Sequence, residues 1–244
     1  MDAALRSLLD WYAEMGVDVP KVPAARPVRA KRTTSKSQDI APAAASTSVT
    51  AKHIDLSKIT TLDALREAMN NFEAGTLTDS ARQAVFARGN PDATLMVIGE
   101  APGRDEDIQG KPFVGPAGQL LDRMLGAIGL SEEDAYITNV VNWRIPQNQK
   151  PKAEEIDICR PFIERHITLA QPKVLLLVGG ISMTALTGVT GIMKNHGKWQ
   201  DITINGQTYP TLPLYHPAFL LRRPELKKDA WRDLLALREK LLSL

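Results

Sequence analysis

The sequence predicts an α/β fold: a three-layer α/β/α sandwich around a mainly parallel four-stranded sheet, with a disordered N-terminal extension. Three observations predict it. Short apolar runs, the length of buried strands, alternate with longer amphipathic stretches, the length of helices, which is the pattern of successive βαβ units. The chain has 244 residues, 43% of them hydrophobic, enough for one sizeable core. Residues 20–52 hold almost nothing to bury and are rich in Pro, Ala, Ser and Thr, so they lie outside that core.

Taken in order, residues 1–18 read as a short amphipathic helix, with Leu5, Leu8, Leu9 and Tyr12 at helical spacing. Residues 19–54 read as a disordered linker. It is strongly basic: Lys21, Arg26, Arg29, Lys31, Arg32, Lys36 and Lys52 stand against Asp39 alone, which leaves the rest of the chain net acidic. Such a segment can hold a polyanion without sequence preference, although a solvated tether needs no partner.

The folded domain is expected over 55–244. Thr61 caps a helix over 62–72. A strand over 94–100 leads to a helix over 116–129, with Pro at its start and Gly at its end. A strand follows at 135–141, then a helix at 153–170 that contains one Pro. Next come a strand at 173–180 and a short helix at 181–188. Asn205-Gly206 centres a hairpin within 201–217 whose second arm ends at His216, and a helix over 226–244 closes the chain.

No run of eighteen apolar residues occurs, so no membrane span is expected. The N-terminus lacks the basic start and small-residue cleavage site of a signal peptide. The single cysteine, Cys159, excludes an internal disulfide and fits a reducing cytoplasm.

In an open α/β sheet, ligands bind at the carboxyl ends of the strands. The four expected strand ends deliver Gly99-Glu100, then Asn139, then Gly179-Gly180, then His216-Pro217. Each alone has a bland explanation: Asn139 as a loop cap, His216 as packing. Four polar or glycine features on one edge point to a crevice.

The first of them opens the segment GEAPGRDEDIQGKPFVGPAG at 99–118. Gly99, Gly103 and Gly110 permit positive φ or close backbone approach. The spacing meets neither the dinucleotide fingerprint nor the P-loop, and Asp105, Glu106 and Asp107 would repel a phosphate; some of these acids are expected to form only a solvated turn. Phe113 is core or a stacking face for a planar ligand. The small residues at 115–118 leave backbone N–H groups open at a helix start.

These residues, followed by ITNVVNWRIPQNQKP at 137–151 and LYHPAFLLRRPELKKDAW at 214–231, resemble the family 4 uracil-DNA glycosylases, in the same order over roughly residues 60–243. The resemblance implies the same α/β/α fold and an enzyme, a hydrolase of N-glycosyl bonds. It would act in base excision repair, flipping uracil from DNA and cutting its glycosidic bond, as a monomer whose partner is uracil-containing DNA. Glu100, Glu106, Asn139 and His216 would be catalytic: the glutamates beside the water or the sugar cation, and His216 donating to the departing base. Gly99, Ala101, Gly103, Phe113 and Asn139 would hold the uracil, with Phe113 stacked on it. Ala101 stands where another branch of the superfamily has its water-activating Asp. Leu220 or Leu221 would wedge into DNA, and Arg222, Arg223 and Lys150 would meet phosphates. The N-terminal helix could serve a protein partner.

The chain also departs from that family. Members usually hold a [4Fe–4S] cluster on four cysteines. Three of those places align with Phe72, Gly75 and Trp143, and only Cys159 remains. The cluster is therefore expected to be absent, with no metal and no other cofactor, and Phe72 and Trp143 to pack into the space. The family's Asn-Arg after the Asn strand gives way to PQNQK at 146–150, where Lys150 offers a cation, and its Arg-Gly near 197 reads His196-Gly197. The competing reading is a catalytically inactive homologue that binds DNA or a protein partner.

Overall fold

The computed structural model describes residues 54–244. The expected N-terminal helix and nearly all of the expected linker lie outside the described residues.

The described elements are, as strands, β1 (Arg88–Gly89), β2 (Leu95–Gly99), β3 (Ala135–Asn139), β4 (Val174–Val178), β5 (Gln200–Ile204) and β6 (Gln207–Leu214). The main helices are α1 (Leu62–Asn70), α2 (Arg104–Gln109), α3 (Pro116–Ala127), α4 (Ala153–Ala170), α5 (Gly180–Thr187), α6 (Pro217–Arg222) and α7 (Lys227–Leu242).

The sheet has six strands rather than four, in the order β1-β3-β2-β4-β6-β5. Its centre, β3-β2-β4-β6, is parallel throughout. The two edges, β1 and β5, run antiparallel to their neighbours. β5 is the first arm of the expected hairpin, turned by Asn205 (φ 50°) and Gly206 (φ 83°), both in the left-handed region that a tight hairpin turn requires. β1, two residues long, is too short to leave a periodic signal in the sequence.

β2, β3 and β4 are buried at every position, because helices cover both faces. Alternate residues point to opposite sides. Met96, Ile98, Tyr136, Leu175 and Leu177 join Leu65, Met69, Phe162, Ile163 and Ile167 of α1 and α4 in one core. Leu95, Val97, Ile137, Val174 and Leu176 join Leu120, Leu121 and Met124 of α3 and Trp231, Leu234 and Leu237 of α7 in the other. These two cores make the three layers. In the first, buried His166 places Nε2 2.9 Å from the Tyr136 hydroxyl and stacks on Phe86. Burial, with help from Arg66, pushes its pKa down to about 3.

The helix starts follow local chemistry. Thr61 accepts a hydrogen bond from the Ala64 N–H at 3.2 Å, and Pro116 opens α3 where no N–H is needed. The acidic run at 105–107 forms the first turn of α2, where Asp105 is exposed, as expected for some of these acids, and Asp107 is buried. Carboxylates there face the positive end of the helix dipole. Asp107 is 2% exposed and accepts the Arg82 N–H at 2.8 Å.

Two register pairs fix the site. Gly99 lies opposite Asn139, and Val178 opposite Leu214. The carboxyl ends of the four parallel strands therefore share one edge. The chain crosses from β2 to β3 on one side and returns past β2 to β4 on the other, which opens a crevice at that edge.

Candidate active site

A cleft of about 1090 Å³ occupies this edge, lined by Glu100, Ala101, Gly103, Glu106, Phe113, Asn139, Lys150, His216 and Arg222 among others. Of the residues expected at a site, Gly99 does not line the cleft but lies against Asn139 and Phe113, which do. Leu220, Leu221 and Arg223 do not line it.

Asn139 ends β3 with 2% exposure. Its carboxamide has no hydrogen-bond partner among the described residues, so both its donor and its acceptor remain open to the cleft. His216 begins α6, and its Nδ1 accepts the Ala218 N–H at 3.2 Å. An accepting Nδ1 in a neutral ring leaves the proton on Nε2. Burial, aided by Arg222, pushes the His216 pKa down to about 4, so the ring is neutral at physiological pH and offers one N–H donor. Gly179 fits closely beside it: a Cβ there would sit 3.2 Å from the His216 Cβ.

Phe113 is buried, with its ring centroid 5.8 Å from that of His216 and the planes 28° apart. Its φ is 54°, a left-handed conformation that disfavours a side chain by about 1–2 kcal/mol. The expected freedom of the loop glycines is used differently from position to position. Gly99 lacks a Cβ because one there would overlap the Phe113 ring and the Asn139 oxygen. Gly103 caps α2 at φ −84°, which any residue adopts, and Gly110 ends α2 at φ 69°. The backbone on both sides of Phe113 is held. Arg88 Nε donates to the Pro112 carbonyl at 2.9 Å. Glu106 Oε1 accepts from the Val114 N–H at 3.1 Å and the Gly115 N–H at 2.9 Å.

Burial raises the Glu100 pKa above its ordinary value, opposed by the nearby Lys150 ammonium. Lys150 is exposed at the rim, after a turn in which Gln147 and Asn148 both take positive φ. The expected wedge pair separates. Leu220 is 0% exposed and belongs to the α3–α7 core, whereas Leu221 is 43% exposed. Only Leu221 presents its side chain outward, because on a helix adjacent residues face different directions. Arg222 lies at the cleft, and Arg223 is paired with Glu225.

Sequence reasoning missed Arg88, whose strand is too short to read, and the apolar rim residues Ile192 and Met193. It also missed the role of Tyr215, which lines the cleft and stacks on His196 at 4.1 Å, while His196 Nδ1 lies 2.7 Å from Asp233 Oδ2. The residue next to an expected catalytic His gives no separate signal.

Where the resembled family has its cluster ligands, the side chains present do not fit an iron–sulfur cluster. Phe72, Trp143 and Phe162 pack edge to face or tilted, with centroids 4.8–6.0 Å apart, and all are buried. Cys159 is 0% exposed in the same core. Burial pushes its pKa up to about 12, which disfavours the thiolate that binds metal. Among the described residues no group of three or more His, Cys, Asp or Glu could hold a metal ion.

Residues 86–235 match the model of the uracil DNA glycosylase superfamily. The chain is 38% identical over 188 residues to a type-4 uracil-DNA glycosylase of Saccharolobus solfataricus, covering 75% of this chain and 87% of that protein. It is 39% identical over 150 residues to the type-4 enzyme of Archaeoglobus fulgidus, covering 59% and 75%. To the type-4 enzyme of Thermotoga maritima it is 31% identical over 180 residues, covering 71% and 91%.

Proposed function

The chain belongs to the uracil-DNA glycosylase superfamily, and from that membership we propose that it flips uracil out of DNA and hydrolyses the bond between base and deoxyribose. The reading is carried by one meeting of groups: an unpartnered Asn139 carboxamide, a neutral His216 with its N–H free, and the Phe113 ring, all on one cleft.

Flipping costs a few kcal/mol, least for a mismatched base such as uracil opposite guanine. The extruded ring stacks on Phe113. Asn139 pairs with its N–H and carbonyl together, which a carboxamide alone does with one side chain. As the C1′–N1 bond breaks, its electron pair leaves with uracil and negative charge grows on a uracil carbonyl oxygen. The His216 Nε2–H donates to that oxygen; a preorganised donor of this kind is worth about 3 kcal/mol. A neutral imidazole donates without carrying a charge into the pocket. Water adds to C1′ and gives its proton to the Glu100 carboxylate, and that proton then passes to the uracil anion. The products are free uracil and an abasic site, the entry to base excision repair. Leu221 fills the gap left in the stack, and Lys150 and Arg222 meet phosphates. No step needs an iron–sulfur cluster, and the enzyme works without one.

The test is a uracil-containing oligonucleotide, single-stranded or with uracil opposite G or A, incubated with the protein and then treated with alkali. Strand cleavage at the uracil is expected on at least one of the three. Cleavage on none returns the chain to the reading of an inactive DNA-binding homologue.

A further inference from the structure

The family resemblance implies a place for Glu106 beside the water or the sugar cation, yet its hydrogen bonds run to the loop. Phe113 has a left-handed backbone, φ 54°, which its own side chain opposes. That backbone is gripped from both directions. Ahead of it, the Arg88 guanidinium holds the Pro112 carbonyl at 2.9 Å. The Arg88 side chain is itself only 8% exposed and is fixed by Asp122 and Glu132. Behind it, one oxygen of Glu106 takes two successive N–H groups, Val114 at 3.1 Å and Gly115 at 2.9 Å. Two glycines let the chain approach Phe113 closely. A Cβ on Gly118 would overlap the Phe113 carbonyl, and one on Gly99 would overlap its ring.

We propose that Glu106 and Arg88 are positioning residues that clamp Phe113 in its strained conformation, so that its ring is presented as a ready-made stacking face for the flipped base. The inference rests on the uracil-excising reading for the identity of that base. Its physical basis is preorganisation: a face already locked in place loses no conformational freedom on binding. One Glu106 carboxylate oxygen is committed to the two backbone N–H groups of the loop, and its variants decide between that holding role and proton abstraction.

A carboxamide oxygen can accept the same two N–H groups, whereas a proton-abstracting carboxylate has no substitute in Gln. Glu106→Gln and Glu106→Ala therefore separate the two roles. The probes are two oligonucleotides, one with a non-cleavable 2′-fluorinated deoxyuridine and one with an abasic analogue at the same position. The ratio of their affinities reports what the base itself contributes. Losing a base–aromatic stack costs about tenfold or more in that ratio. Glu106→Ala is expected to lower it by about tenfold and Arg88→Gln by about threefold, while Glu106→Gln keeps most of it. In a Phe113→Ala background, Glu106→Ala should lower it no further, since the two act through one face. A purely architectural Glu106 would leave the ratio unmoved, and that result overturns the clamp. So does a Glu106→Gln variant that loses excision as fully as Glu106→Ala. Excision by the unaltered protein is measured alongside. If it is absent while the affinity ratio still falls in Glu106→Ala, the clamp stands and the enzymatic reading fails.

Discussion

Asn139 and Trp143 lie four residues apart at the end of β3, and their surroundings treat them in opposite ways. Asn139 is buried with its carboxamide unpaired, in a cleft wide enough for a planar ring. Trp143 is equally buried, but Phe72, Phe162 and Cys159 close around it. The first region therefore keeps a donor and an acceptor open to the cleft, where a ligand can meet both. The second, where relatives of the resembled type carry metal ligands, has no open group. The contrast leads to an expectation: the aromatic patch serves packing and the cleft serves chemistry, although Ile145 belongs to both.

That separation can be broken most severely at Trp143. Trp143→Ala should destabilise the fold by about 3–5 kcal/mol through the void it leaves, read by denaturant unfolding, while kcat per folded molecule changes little. A large loss of kcat in the folded fraction would tie the patch to the chemistry.

The converse change is in the cleft. His216→Ala or Asn139→Ala should slow single-turnover uracil release by about 100-fold or more, with a near-native melting curve. Substitution of a merely structural His would instead lower the melting temperature and spare the rate.

Acid should touch both faces of the sheet together. His216 and His166 are held neutral, with pKa values of about 4 and about 3 against an ordinary 6.5. The unfolded chain takes up these protons near pH 6.5 and the folded chain refuses them until far lower. Stability is thus fully present above that pH and falls as pH drops through the window. By about pH 5 each imidazole should cost about 2 kcal/mol, measurable as a pH series of unfolding curves. Raising the pH above 7 should change neither contribution.

The smallest effect should come from Cys159. Cys159→Ala should cost about 1 kcal/mol of stability and leave excision and iron content as they were. Stoichiometric iron in the purified protein, lost in this variant, would contradict the closed character of the patch.

Much of this was legible in the sequence. The helix over 153–170 needed only periodicity, and α4 covers the expected residues, whereas the strand expected over 135–141 stops at Asn139. Thr61, Asn205-Gly206 and Pro116 act through local chemistry that a short window contains. Asn139 and His216 were placed on one edge by reading the strand ends, and both line the cleft there. Other features were not legible, because they depend on contacts distant in the chain. Leu220 and Leu221 are identical in sequence and differ only in which one faces α3 and α7. Glu106 reads as one acid in a run of three until α2 turns it toward Val114 and Gly115.

The sequence by itself determined the alternation of strands and helices, the shared edge that carries the polar groups, and the loss of three cysteines from the resembled ligand set. Only the tertiary structure decided that the sheet gains two antiparallel edges, that Phe113 takes a left-handed backbone, and that Arg88 and Glu106 hold it there. The reason is range. Periodicity and capping act within a few residues, whereas the loop around Phe113 meets Arg88 of β1 and Gly99 of β2, whose contacts exist only once the sheet has formed.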